Sequence, residues 1–126
     1  AAVEAIEMLR QPSFLQRARQ VGERMREHLH RLQADFPLIG DVRGLGSMVL
    51  IELVSDPDQK TPAADATMAV TQAALQRGLI VIRAGLFSNC IRFLPPLNIT
   101  DAQIDEGMAV LRQAFEEVTE MAATGA

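Results

Sequence analysis

The chain has 126 residues, a length that suits one domain with a single hydrophobic core and needs no metal or disulfide staple. With 48% hydrophobic residues, 22% charged residues and a formal charge of -4 spread along the sequence, it reads as a folded domain with no field to hold a polyanion, so nucleic acid is not an expected partner. No apolar run approaches the roughly 18 residues of a membrane helix, no signal-peptide layout opens the chain, and the one cysteine, Cys90, rules out an internal disulfide; no membrane partner and a cytoplasmic location are expected.

Val3, Ile6 and Leu9 are spaced for a short helix, or for the tail of one, which Pro12 ends. Ser13 followed by Gln16 has the pattern of a capping box and predicts a new helix, with Phe14, Ala18, Val21, Met25, Leu29 and Leu32 on one stripe. Pro37, Gly40, Gly44 and Gly46 then crowd into a few residues, which predicts turns around a short extended piece. Residues 48–54, MVLIELV, predict a strand stopped by Asp56, Pro57 and Asp58. Thr61-Pro62 is a helix-start pair, and the helix should run to Arg77 and close on Gly78. Strands are predicted over 79–82 and 90–94, joined by a loop over 84–89, with Pro95-Pro96 stopping the second. Thr100 and Gln103 form a second capping box, Ile99 and Ile104 its hydrophobic staple, and Ile104, Met108, Leu111, Phe115 and Val118 the stripe of a last helix that fades into residues 122–126. The order predicts an α+β domain: a small antiparallel or mixed sheet with helices packed on one side and a hairpin late in the chain.

Candidate sites are few. Gly44-Leu45-Gly46-Ser47 resembles a phosphate loop only superficially, since it precedes a strand and lacks the Lys-Ser/Thr pair; a tight turn is the better reading. His28 and His30 are two apart on a charged helix and cannot clamp one metal, which leaves them as surface residues. Cys90 suits a small core residue. Lys60, the sole lysine, sits in the polar turn DPDQKTP, where nothing would desolvate it for a Schiff base. Arg92 is different, because the alternation of its strand puts Ile91 and Phe93 on one face and Arg92 on the other with Cys90 and Leu94. Its guanidinium reads equally as a structural ion pair or as a carboxylate clamp. Arg43 could be read the same way, although an arginine in a turn usually bonds backbone carbonyls.

Residues 37–46, PLIGDVRGLG, the strand 48–54, and residues 89–100, NCIRFLPPLNIT, closely resemble the carboxy-terminal part of class III pyridoxal-phosphate-dependent aminotransferases, above all those acting on 4-aminobutyrate; the resemblance runs from about Ser13 to Val118. It implies that residues 1–12 end an inter-domain helix, that 13–121 form the α+β small domain of a fold type I enzyme, and that 122–126 are a tail. It further implies a piece of a larger homodimeric enzyme. That enzyme's missing large domain would carry the pyridoxal phosphate, its lysine and its phosphate-binding residues, leaving no catalytic, cofactor-binding or metal residue here and a chain inactive alone. In the family, the arginine of the strand that runs into the Pro-Pro pair binds a substrate carboxylate, and that position is Arg92 of Arg92-Phe93-Leu94-Pro95-Pro96. The implied reaction moves an amino group between an ω-amino acid such as 4-aminobutyrate and 2-oxoglutarate. Leu86-Phe87-Ser88 stands where the family often has Tyr or Gly. Val3, Ile6, Leu86 and Phe87 are candidates for apolar contact with the missing domain or second subunit. The other expectation is a stand-alone α+β module that binds a small ligand or partner.

Overall fold

The computed structural model describes residues 12–123. A long helix, α1 (Pro12–Asp35), leads into a hairpin of β1 (Ile39–Leu45) and β2 (Met48–Asp56); a two-residue strand, β3 (Thr61–Pro62), follows, then α2 (Ala64–Gln76), the second hairpin β4 (Ile82–Ala84) and β5 (Cys90–Phe93), and α3 (Asp101–Ala123). Every pairing is antiparallel, with the order β1-β2-β5-β4 and β3 lying against β2. The fold is α+β, a small antiparallel sheet with its helices on one side. The expected helix over residues 1–10 lies outside the described residues.

Alternation along β2 turns Val49, Ile51 and Leu53 toward the helices, where they meet Ile91 and Phe93 of β5 and the stripes of α1 (Val21, Met25, Leu29, Leu32) and α3 (Ile104, Met108, Leu111, Phe115). Phe115 is fully buried, with its ring 5.6 Å from that of Phe36 at a tilt of 44°. Burying each such large side chain contributes roughly 1.5–3 kcal/mol.

The capping box on α3 is present: the Thr100 amide donates to Gln103 Oε1 at 2.9 Å and the Gln103 amide to Thr100 Oγ1 at 3.1 Å. The Ser13–Gln16 box is not, because Ser13 lies within α1 and not ahead of it. Thr61-Pro62 does not open a helix either. Asp56 Oδ1 accepts the amide of Asp58, and the Asp56 carbonyl accepts that of Lys60, which adopts a left-handed φ of 54°. This tight turn sends Thr61 and Pro62 back along β2, and the helix waits until Ala64, with no side-chain cap. At the other end of α2, the Gly78 amide bonds the Leu75 carbonyl and the Leu79 amide that of Ala74, with Gly78 at φ 85°. That closure uses up residues expected to be strand, so β4 starts only at Ile82.

The crowded glycines lie in and beside a seven-residue strand and its hairpin turn rather than around a short extended piece. Gly46, at φ 59°, makes the turn, and a Cβ on Gly22 of α1 would overlap its carbonyl oxygen. The hairpin tip is thus docked on the helix through two glycines.

Candidate functional site

Among the described residues, no helix lies on the opposite face of the sheet. Register places Ile82, Arg92, Leu50 and Arg43 in one row across β4, β5, β2 and β1, and Ala84, Cys90, Glu52 and Asp41 in the next. Arg92 is exposed, with an aliphatic neighbour on each adjoining strand, and it lines an apolar groove with Ile82, Leu94 and Pro95 whose other wall comes from Met25 of α1 and Ile104 and Met108 of α3. Among the described residues it has no hydrogen-bond or ion-pair partner. Of the two readings left open for Arg92, the structural ion pair has no counterpart here. An unpaired planar fork between apolar flanks is suited to gripping a carboxylate through two parallel hydrogen bonds.

Arg43 is the contrary case. It lies in a strand, and its Nη1 donates to Asp41 Oδ2 at 2.9 Å and to Glu52 Oε2 at 3.2 Å, carboxylates and not the backbone carbonyls expected for a turn. The hydrogen bond to Asp41, aided by Glu52, pushes its pKa above the ordinary arginine value.

Cys90 is buried, and burial, reinforced by the Glu52 charge, raises its thiol pKa, so it behaves as an inert core residue. The loop above it is pinned at one end by Asn89, whose Nδ2 donates to the Leu53 carbonyl at 3.0 Å while its own carbonyl accepts the Leu53 amide. Gly85, at φ 92°, packs close against the Cys90 sulfur. The loop presents Leu86 and Phe87 to solvent, 92% and 62% exposed, whereas Val3 and Ile6 lie outside the described residues.

The remaining candidates separate cleanly. Gly44 to Ser47 is the β1–β2 turn. His30 is exposed, but His28 is not a free surface residue: its Nε2 donates to Asp105 Oδ1 at 2.7 Å. Arg24 grips the same carboxylate with two hydrogen bonds of 2.9 and 2.7 Å, tying α1 to α3. These bonds hold the Asp105 carboxyl well below the usual carboxylate range. Among the described residues no group of three His, Cys, Asp or Glu could hold a metal, and no helix is long and apolar enough to cross a membrane.

Sequence reasoning missed Glu52, Asp41, Leu50 and Ile82. The alternation of MVLIELV does put Leu50 and Glu52 opposite Val49 and Ile51, but which arginine each one meets depends on register, which no single strand encodes.

A family model described as Aminotransferase class-III matches residues 1–115. The chain is 42% identical over 118 residues to the 5-aminovalerate aminotransferase DavT of Pseudomonas aeruginosa, a match covering 94% of this chain and 28% of that protein. It is 39% identical to the 4-aminobutyrate aminotransferase GabT of Escherichia coli, with 93% and 28% covered, and 38% identical to a leucine/methionine racemase of Thermococcus litoralis, with 95% and 27% covered. Among solved structures, a Bacillus anthracis aminotransferase superposes with a TM-score of 0.82 at 32% identity, over 92% of this chain and 27% of that one. The chain thus spans about a quarter of the length of the relatives it matches, and it belongs to the class III aminotransferases.

Proposed function

We propose that this class III aminotransferase chain is the substrate-covering small domain, residues 13–121, of an ω-amino acid:2-oxoglutarate aminotransferase, with 4-aminobutyrate as the amino donor and Arg92 as the residue that holds a substrate carboxylate. The observation that carries this reading is the unpaired guanidinium of Arg92 on the open face of the sheet. The resemblance to GabT and DavT supports the substrate class.

The family implies pyridoxal phosphate in the complete enzyme, where it supplies an electron sink for the amino acid's carbanion. The residues described here do not fit that group. Lys60, the sole lysine of the sequence, is exposed in the turn between β2 and β3, and the glycine-rich turn of residues 44–47 packs against α1 instead of opening a cradle. In this reading the cofactor, its lysine and the chemical steps belong to the rest of a cytoplasmic homodimeric enzyme, and the present chain alone is inactive.

The task left to this chain is binding and orientation. Glutamate and 2-oxoglutarate carry two carboxylates and 4-aminobutyrate one, so the second carboxylate needs a cation of its own, and Arg92 supplies it from a strand anchored through Ile91 and Phe93. Single-turnover kinetics of the complete enzyme tests this. Arg92→Ala should lower kcat/KM of the glutamate half-reaction roughly 30- to 1000-fold, Arg92→Lys less, and the 4-aminobutyrate half-reaction should suffer least. Equal losses in both half-reactions would overturn the assignment.

A further inference from the structure

Glu52 has two arginines as diagonal neighbours on the open face. Arg43 of β1 and Arg92 of β5 both sit opposite Leu50, two residues away from Glu52 on either side. Diagonal positions of this kind lie about 7–8 Å apart, within reach of long side chains. Yet Glu52 bonds only one of them: its Oε2 accepts from Arg43 at 3.2 Å, while Arg92 lines the groove with Ile82 and Leu94 and has no partner among the described residues.

The register supplies the reason. Asp41 is directly opposite Glu52, an arrangement that repels when two carboxylates face one another across a ladder. Arg43, bonded to one oxygen of each, relieves that repulsion. Removing its charge leaves Glu52 pushed by Asp41 from one side, with Arg92 as the nearest cation on the other.

We propose that Arg43 is a positioning residue for the carboxylate site: by holding Asp41 and Glu52, it keeps Glu52 from capturing Arg92. The inference rests on the reading of Arg92 given above and adds a specificity device to it. A cation that is free only part of the time binds its anion with an apparent affinity reduced by that fraction. Glu52 would act as an internal competitor for the substrate carboxylate, and Arg43 is what disarms it.

The test is Arg43→Met in the complete enzyme, alone and combined with Glu52→Gln. The single variant should raise KM for 2-oxoglutarate roughly three- to fivefold, the scale of a half-exposed ion pair, with kcat little changed. Its crystal structure should show Arg92 within 4 Å of Glu52. Adding Glu52→Gln should return KM to within about twofold of wild type, a rescue that general destabilisation would not produce. If the protein with Arg43→Met does not accumulate, Arg43→Gln carries the same test. An Arg92 that stays in the groove in the variant structure, or a KM defect that Glu52→Gln leaves in place, overturns the proposal. If the Arg92–Glu52 pair forms and KM is unchanged, Arg43 does insulate Arg92, and what fails is the assignment of Arg92 to the substrate carboxylate.

Discussion

The two faces of the sheet are built to opposite rules. On the helical face Val49, Ile51, Leu53, Ile91 and Phe93 are buried against three helices, and charges at the rim are tied across elements, Arg24 and His28 with Asp105, Arg112 with Asp35 and Arg77 with Glu117, whereas Arg83, opposite Ile91, has no partner among the described residues. On the open face the same strands present Arg43, Asp41, Glu52 and Arg92, and among the described residues Arg92 alone of these four has no mate. Stability depends on the first face. If the second carries the proposed binding residue, substitutions on the two faces should separate loss of structure from loss of function.

The largest expected effect is in the core. Phe115→Ala removes a fully buried ring 5.6 Å from that of Phe36, over which the Arg112 guanidinium sits 5.8 Å from the centroid. The cost should be roughly 3–5 kcal/mol, read as a lower urea midpoint with little change in slope. A cost under about 1 kcal/mol would mean that the helical layer can collapse into the space, and the contrast between the faces would weaken.

Much of this division was legible in the sequence. The alternation around Arg92 and the apolar stripes of α1 and α3 are local patterns, and local patterns survive folding: Ile91 and Phe93 are buried while Arg92 is exposed, and Thr100 and Gln103 cap the last helix as expected. What escaped were features fixed by partners distant in sequence. Thr61-Pro62 carries a helix-start signal, yet it follows an Asp56-centred turn that delivers it to β2, and a ladder partner outweighs a local preference. His28 looks like a surface histidine until α3 brings Asp105 to it from 77 residues away. At the site, Arg92 could be singled out, but its freedom could not, because which acid each arginine meets is set by the pairing of Arg43, Leu50 and Arg92 across three strands.

An intermediate effect is expected at the rim of the helical face. Asp105 is ionised more readily in the folded protein than in the unfolded chain, because Arg24 first and His28 second stabilise its carboxylate. A carboxyl with a depressed folded pKa adds stability above its unfolded value and loses it as pH falls toward the folded one. Wild type should therefore lose melting temperature below about pH 4, and Asp105→Asn should melt lower at neutral pH but decline less steeply in acid. Parallel acid profiles for the two proteins would show that the α1–α3 clasp contributes nothing to the pH dependence.

The smallest expected effect on stability is at Arg92, and it is the sharpest test of the contrast. Arg24, Arg43, Arg77 and Arg112 each give up a carboxylate partner when replaced, and a partner left behind raises the cost of the substitution. Arg92 leaves none, since among the described residues nothing bonds it. Its aliphatic stem lies between Leu50 and Ile82 in the ladder register, and Met at this position keeps much of that apolar contact. Arg92→Met should therefore change unfolding free energy by no more than about 0.5 kcal/mol, the range of surface positions without special interactions, and could even stabilise the sheet by removing an unpaired charge. Urea denaturation of wild type and variant side by side measures this. The same substitution is expected to cripple the glutamate half-reaction, so a stable but inactive Arg92→Met enzyme would mark this strand position as held for binding. A loss of more than about 2 kcal/mol would place Arg92 among the structural ion pairs, and the open face would then differ from the helical face in exposure alone.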